Sequence, residues 1–302
     1  MKKLAIAGLA AVTLAGCSDQ QEEAQVLNLY NWSEYMPQEV LDRFEEETGI
    51  QVVYTTYDSN EAMYARLKLL DDSSQYDLAV PSTYYVNKMR KEDLLMEIDH
   101  SQIEGFDNLD PELVDQSFDK DNAYSVPYLW GTTGLAIDSD AVEEGEVTGW
   151  ADLWDQQYEG QVMLTNDMRE VFHVGLRVLG YSGNSTNPEE IEAAYEKLSE
   201  LMPSVRTFNS DAPRMPYLEG ETDIGMIWNG EAFMGKEDMP SLEYIYPEEG
   251  VIVWLDSFVI PKNAANPEAA HKFISFVLQP EISALISGDI GYATPNLAAR
   301  DL

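Results

Sequence analysis

VLNLYNWSEYMPQEVLDRFEEETGIQVVYTTYDSNEAMYARLKLL, residues 26–70, carries the architecture of this chain. Val26 to Tyr30 is apolar and aromatic, as a strand requires, and Pro37 stands where a helix can open. Val40, Leu41 and Phe44 then fall on one helix face, and Gly49 ends the helix. Ile50 to Tyr57 reads as the next strand. Ser59-Asn60-Glu61 leads into a second amphipathic helix that runs through Leu70. Tyr76 to Val80 is a third strand, closed by Pro81-Ser82-Thr83. This β-α-β-α-β order predicts an α/β fold with a largely parallel sheet, in which ligands sit at the carboxyl ends of the strands. The residues just past strands one and three are Trp32, Ser33 and Tyr35, then Ser82, Thr83 and Tyr84. Aromatic rings and hydroxyls therefore gather where a ligand is expected.

Residues 107–121 read as a turn-rich connector, and the Phe118-Asp119-Lys120-Asp121-Asn122 stretch as a solvated turn, since it lacks the Gly and distal Glu of a calcium loop. Tyr124 to Trp130 and Gly134 to Ile137 look like two strands leading into a second domain. Trp150 and Trp154, four apart, suit a helix core. Val162 to Leu164 reads as a strand, after which Thr165 or Asn166 can cap a helix. Asp167 and Glu170 lie in its first turn, three apart and on one face. They either answer the positive end of the helix or present two carboxylates to a ligand. Pro188 to Leu201 is a clean helix, Thr222 to Trp228 follows a hairpin-like turn as a strand, Pro267 to Gln279 is a helix, and Ser287 to Asn296 is a Gly-rich turn region holding Tyr292.

GVIVWLDSFVIP, residues 250–261, is a strand with one discordant residue. Asp256 is a carboxylate in an apolar run, and Trp254 two positions earlier projects from the same face. A buried carboxylate needs a positive partner or several donors, and no basic residue lies between Gly250 and Ile260. Either this is an edge strand with a solvated Asp, or Trp254 and Asp256 line a cleft whose missing cation is the ligand.

With 302 residues the chain can form two ordinary domains or one large one. It carries 55 acidic and 18 basic residues, a formal net charge of -37. That sign argues against nucleic acid and favours approach by polycations, although most of these acids are expected on a solvated surface. The lone cysteine, Cys17, rules out an intrachain disulfide framework. It ends a signal-like start: Lys2 and Lys3, an apolar run from Leu4 to Leu14, then Leu14-Ala15-Gly16-Cys17. This resembles a bacterial lipoprotein signal over 1–17 with lipidation at Cys17, followed by a polar tether over 18–25, and it implies export. The chain offers no run that reads as a later transmembrane helix, so membrane association is expected through the anchor or a partner.

His100, His173 and His271 are far apart in sequence and no metal-ligand spacing is present; neither a metal nor a cofactor is expected. There is no GxSxG, P-loop or GxGxxG. Asp167, Glu170 and Asp256 could serve a glycosidase, yet three acids among aromatics fit cation binding at least as well, and a binding module rather than an enzyme is expected.

NWSEY at 31–35, YDLAVPSTYYVNKMRKE, LTNDMREVF, MIWNG, WLDS and IGYATPNLAAR together closely resemble the spermidine/putrescine-binding periplasmic proteins of polyamine ABC transporters, from Leu27 to the end. The resemblance implies a type II periplasmic binding-protein fold: two α/β lobes, 26–130 with 257–302 and 131–256, crossed near Trp130–Thr133 and Val253–Phe258, with a ligand cleft between them. It implies a periplasmic protein, expected as a monomer and lipid-anchored if the signal reading above holds, that hands a polyamine to the membrane permease of an ABC transporter. The alternatives are a polyamine sensor for a membrane signalling protein and a binding protein for another small organic cation. Carried over position by position, the implied ligand contacts are Trp32, Ser33, Tyr35, Ser82, Tyr84, Asp167, Glu170, Trp228, Trp254, Asp256 and Tyr292. Asp167 and Glu170 would pair one terminal ammonium, Asp256 an internal amine, and Ser82 with Tyr84 the other end; Trp32, Trp228 and Trp254 would wall the methylenes. PSTYY follows the spermidine type, while Ser33 replaces a common threonine; spermidine is expected over putrescine. The family pattern also implies a helical segment after Leu302 supplying one more polar contact, a glutamine.

Overall fold

The computed structural model describes residues 25–70, 75–143 and 145–302; the signal, Cys17 and the tether lie outside them. The chain begins with β1 (Val26–Trp32), α1 (Gln38–Thr48), β2 (Gln51–Tyr57), α2 (Asn60–Leu69), β3 (Leu78–Ala79) and α3 (Thr83–Lys91). Gly49 ends α1 in the left-handed region, at φ 72°, and Val40, Leu41 and Phe44 form its buried face, as the sequence pattern predicts. The Ser59 hydroxyl caps α2 by accepting the Ala62 N–H at 3.2 Å. The three strands form a parallel sheet in the order β2-β1-β3. The third strand is much shorter than its apolar sequence suggests, because it pairs with β1 through only two residues before Pro81 interrupts it.

Residues 126–138 form one strand of 13 residues, β4, where the sequence suggested two. The rest of the chain contributes β5 (Val162–Leu164), α4 (Met168–Val178), α5 (Pro188–Leu201), β6 (Val205–Phe208), the short α6 (Met215–Leu218), β7 (Ile224–Trp228), α7 (Asn229–Asp238), β8 (Leu242–Ile245), β9 (Ile252–Phe258), α8 (Pro267–Val277) and α9 (Pro280–Ile290). A second sheet runs β6-β5-β7-β4-β8, with β9 also on β4. The β5 pairings are parallel and the β4 pairings antiparallel, so this sheet is mixed. Thr222 to Trp228 is no hairpin arm: α6 precedes it, and β7 lies between β5 and β4. The stretch after Ser287 is also more regular than its glycines suggest, since α9 continues to Ile290 and Gly291 caps it at φ 72°.

The main buried clusters follow the two sheets. Leu29, Phe44, Leu78, Phe258 and Phe273 are fully buried around the first. Leu135, Trp150, Val162, Ile224 and Met226 are fully buried around the second. Trp150 is core as expected, in a 3-10 turn over Trp150–Trp154 rather than an α-helix. Two strands connect the lobes. β4 pairs with β9 from Val126 to Thr133 and with β7 from Thr133 to Ile137. The far end of β9 returns to the first sheet through the reciprocal Ala79–Val259 backbone bonds, at 2.9 and 2.8 Å. At this crossing Gly131 is required: a Cβ there would lie 2.7 Å from the Trp254 ring and against the Asn229 side chain. The turn over Asp119 and Asn122 is not solvated. Both residues are buried, and Asp119 accepts from the Tyr124 N–H at 3.0 Å and the Ser125 hydroxyl at 2.7 Å.

Candidate functional site

Parallel strands bring their carboxyl ends to one side, and each lobe delivers side chains there. Trp32 ends β1, Ser82 and Tyr84 follow β3, Asp167 and Glu170 follow β5, and Trp228 ends β7. These residues face one cleft of about 440 Å³, and all eleven positions singled out in the sequence line it.

Asp256 is 5% exposed, which excludes the solvated-edge reading of its strand. It accepts the Ser82 hydroxyl at 2.6 Å and the Tyr35 hydroxyl at 3.1 Å. Neither donor is charged. Burial therefore pushes its carboxyl up to about 7, against the opposing pull of these two bonds, and Asp167 adds a smaller push in the same direction.

Asp167 and Glu170 are 6% and 8% exposed. Asp167, not Thr165 or Asn166, is the N-cap of α4: its Oδ1 accepts the Glu170 N–H at 3.0 Å. Its Oδ2 accepts the Tyr84 hydroxyl across the cleft at 2.7 Å. One carboxylate thus answers both readings of this turn, capping a helix with one oxygen and facing the cleft with the other. Glu170 is held from three sides, by Thr133 at 2.6 Å, Thr165 at 3.2 Å and the Trp228 indole N–H at 3.2 Å. Burial, then the charge of Asp167, raises its carboxyl well above the ordinary glutamate range.

The sequence reading placed Ser82 and Tyr84 together at the end opposite Asp167. The structure separates them: Ser82 serves Asp256, while Tyr84 serves Asp167. Asn60 joins the two, donating to Ser82 at 3.0 Å and to Tyr84 at 2.9 Å. Sequence reasoning missed Asn60, although it opens α2 just after β2 and obeys the same strand-end rule as Trp32 and Ser82. Thr133 and Thr165 were missed for a different reason, since only tertiary packing sets them against Glu170.

The rings enclose these acids. Trp32 packs edge-on to Trp228 at 5.8 Å and is fixed by its indole N–H to the Val80 carbonyl, at 2.9 Å. Tyr292 packs against Tyr35 at 5.2 Å and Trp254 at 5.4 Å. Gly230 admits Tyr292, because a Cβ there would lie 2.5 Å from its ring. The result is a slot with aromatic walls and three buried carboxylates, and no Lys or Arg forms an ion pair with any of the three among the described residues.

A model of the bacterial extracellular solute-binding proteins matches residues 39–302. The chain belongs to this family. It is 52% identical over 292 residues to the spermidine/putrescine-binding periplasmic protein of Salmonella typhimurium, covering 97% of this chain and 84% of the relative. Among solved structures it is similar to the spermidine/putrescine ABC transporter substrate-binding protein PotD of Streptococcus pneumoniae, with a TM-score of 0.76 and 42% identity over 92% of this chain and 85% of that one. It also resembles the TpPotD lipoprotein of Treponema pallidum, with a TM-score of 0.82 and 31% identity over 91% and 88% of the two chains. The fold is the two-lobed type II fold of periplasmic binding proteins, and the motif resemblance extends over nearly the whole chain. These relatives are named as solute-binding transport proteins rather than as enzymes.

Proposed function

We propose that this protein captures polyamines outside the cytoplasm, spermidine before putrescine, and delivers them to the membrane permease of an ABC transporter. The observation that carries the reading is the set of three buried carboxylates, Asp167, Glu170 and Asp256, none of them ion-paired to a Lys or Arg among the described residues. Buried charge without a partner is costly, and a trication balances the total charge of the three acids. The names of the relatives point the same way. In this reading Asp167 and Glu170 take one terminal ammonium through charge-assisted bonds, and Tyr84 orients Asp167 for it. Asp256, oriented by Ser82 and Tyr35, takes the internal amine. Trp32, Trp228, Trp254 and Tyr292 cover the methylenes and turn ring faces toward the ammonium groups, each contact contributing about 0.5–2 kcal/mol. Ser33 lines the same slot from the end of β1.

The lobe division at 26–130 with 257–302 against 131–256 belongs to this reading, with β4 and β9 as the crossing strands about which the lobes close. So does lipidation at Cys17, which would hold the protein at a membrane surface, as a monomer, within reach of the permease.

Calorimetric titration of the protein lacking residues 1–17 with spermidine and with putrescine, at low and high salt, tests the proposal. One-to-one spermidine binding that persists at high salt is expected, because a buried ion pair is screened far less than a surface one. Binding that vanishes with salt would mean that only the diffuse acidic surface is sampled. Putrescine binding as tight as that of spermidine would overturn the preference.

A further inference from the structure

The cleft has closed flanks and one that leads outward. At the first flank, Arg214 crosses between the lobes: it donates to Glu34 at 2.7 and 3.0 Å and to the buried Glu231 at 2.9 Å. Two carboxylates therefore neutralise it. Beside it the Ser33 hydroxyl donates to Asp211, tying the same lobes together. The Asp256 end is closed as well, since Tyr35, Ser82 and Tyr292 around it are all buried.

Beyond Glu170 the lining continues one turn along α4 to His173 and then outward to Arg169, Asn184 and Val253, the last of them 65% exposed. The Arg169 guanidinium lies over the Tyr84 ring, 5.1 Å from its centroid, and donates to the Asn184 side chain at 2.9 Å. Unlike Arg214, it makes no ion pair with a carboxylate among the described residues. His173 adds no charge at neutral pH: burial, with Arg177 and Arg169 nearby, pushes it down to about 4. Arg169 therefore places a positive charge, without an ion pair among the described residues, at the outlet of an otherwise acidic slot.

We propose that Arg169 is a specificity-determining residue that sets the upper length of the bound polyamine by repelling a fourth ammonium at this outlet. The proposal rests on the polyamine reading above. A triamine matches the three buried acids. A tetraamine that makes the same contacts must extend its extra aminopropyl arm through the outward flank, toward a fixed cation and away from any buried carboxylate. Repulsion at several ångströms in a partly wet site is enough for about five- to tenfold discrimination.

The test titrates spermidine and spermine into the unmodified protein, Arg169→Gln and Arg169→Lys. Gln removes the charge while keeping a planar group able to reach Asn184; Lys keeps the charge. The quantity read is the spermine-to-spermidine affinity ratio within each preparation, which a partly unfolded sample leaves intact. The ratio is expected to rise about five- to tenfold in Arg169→Gln and to stay near that of the unmodified protein in Arg169→Lys. An unchanged ratio in Arg169→Gln overturns the proposal, as does an equal rise in Arg169→Lys. Absence of spermidine binding by the unmodified protein overturns the polyamine reading itself, and is a separate result from the ratio.

Discussion

Replacing Asp256 by Asn is expected to stabilise the empty protein and weaken its ligand binding at the same time. The side chain is buried, holds two neutral donors and no cation, and its carboxyl is raised from 3.8 to about 7. Between those values the folded state keeps a proton that the unfolded state has lost, so stability falls as pH rises through the window. Three units at 1.36 kcal/mol each make the loss about 4 kcal/mol, complete above pH 7. Asn cannot ionise, and it can still accept from Ser82 and donate to Tyr35. The empty Asp256→Asn protein should therefore melt higher than the unmodified one at pH 8, and about equally at pH 4. Binding moves the other way. Removing one partner of a buried charge pair costs about 2–4 kcal/mol, so spermidine affinity should fall about 30- to 1,000-fold, with a smaller loss for putrescine, which has no internal amine. Thermal melts from pH 4 to 8 and calorimetric titration read the two effects. A spermidine dissociation constant within threefold of the unmodified value would refute the role of Asp256. Equal losses for both ligands would refute its assignment to the internal amine, and a melting profile that keeps its full pH dependence would refute the burial argument.

Ligand ammonium groups should ionise Asp256 and Glu170, whose carboxyls are raised in the empty slot, so binding near pH 7 should release protons, roughly half of one from Asp256 alone. Titrations in two buffers of different ionisation enthalpy measure that release, and equal apparent enthalpies would count against it. Gly131→Ala should destabilise the protein by about 1–3 kcal/mol in a denaturant titration and weaken binding, because its Cβ meets Trp254 at 2.7 Å on the crossing strand; unchanged stability would show that the ring has room to move. Asn60→Ala should weaken spermidine binding by about 1–2 kcal/mol, since it frees both Ser82 and Tyr84 to rotate, while an unchanged affinity would make Asn60 a bystander.

Local chemistry was legible along the chain. Pro37 and Gly49 bracket a helix because one fits the first turn and the other tolerates a left-handed backbone. The same logic placed the three opening strands in order, and with them the side on which Trp32, Ser82 and Tyr84 emerge. Asp256 was conspicuous because an acid in an apolar strand has no cheap local explanation. The motif resemblance then supplied the partners that no local rule could join, such as Tyr292 with Trp254.

Contacts between segments distant in the chain were another matter. Whether Asp256 met water or a cleft depended on β4 and β9 crossing together between the lobes, a pairing of residues more than a hundred positions apart. Sequence proximity of Ser82 and Tyr84 says nothing about which acid each hydroxyl reaches: in the fold Ser82 donates to Asp256 and Tyr84 to Asp167. Residue order fixes helix phase, strand alternation and caps, since those involve neighbours a few positions apart. The position of Arg169 at the slot, the neutralised charge of Arg214 and the raised carboxyls of Asp256 and Glu170 arise from burial and through-space distance, and those exist only once both lobes have folded around the same slot.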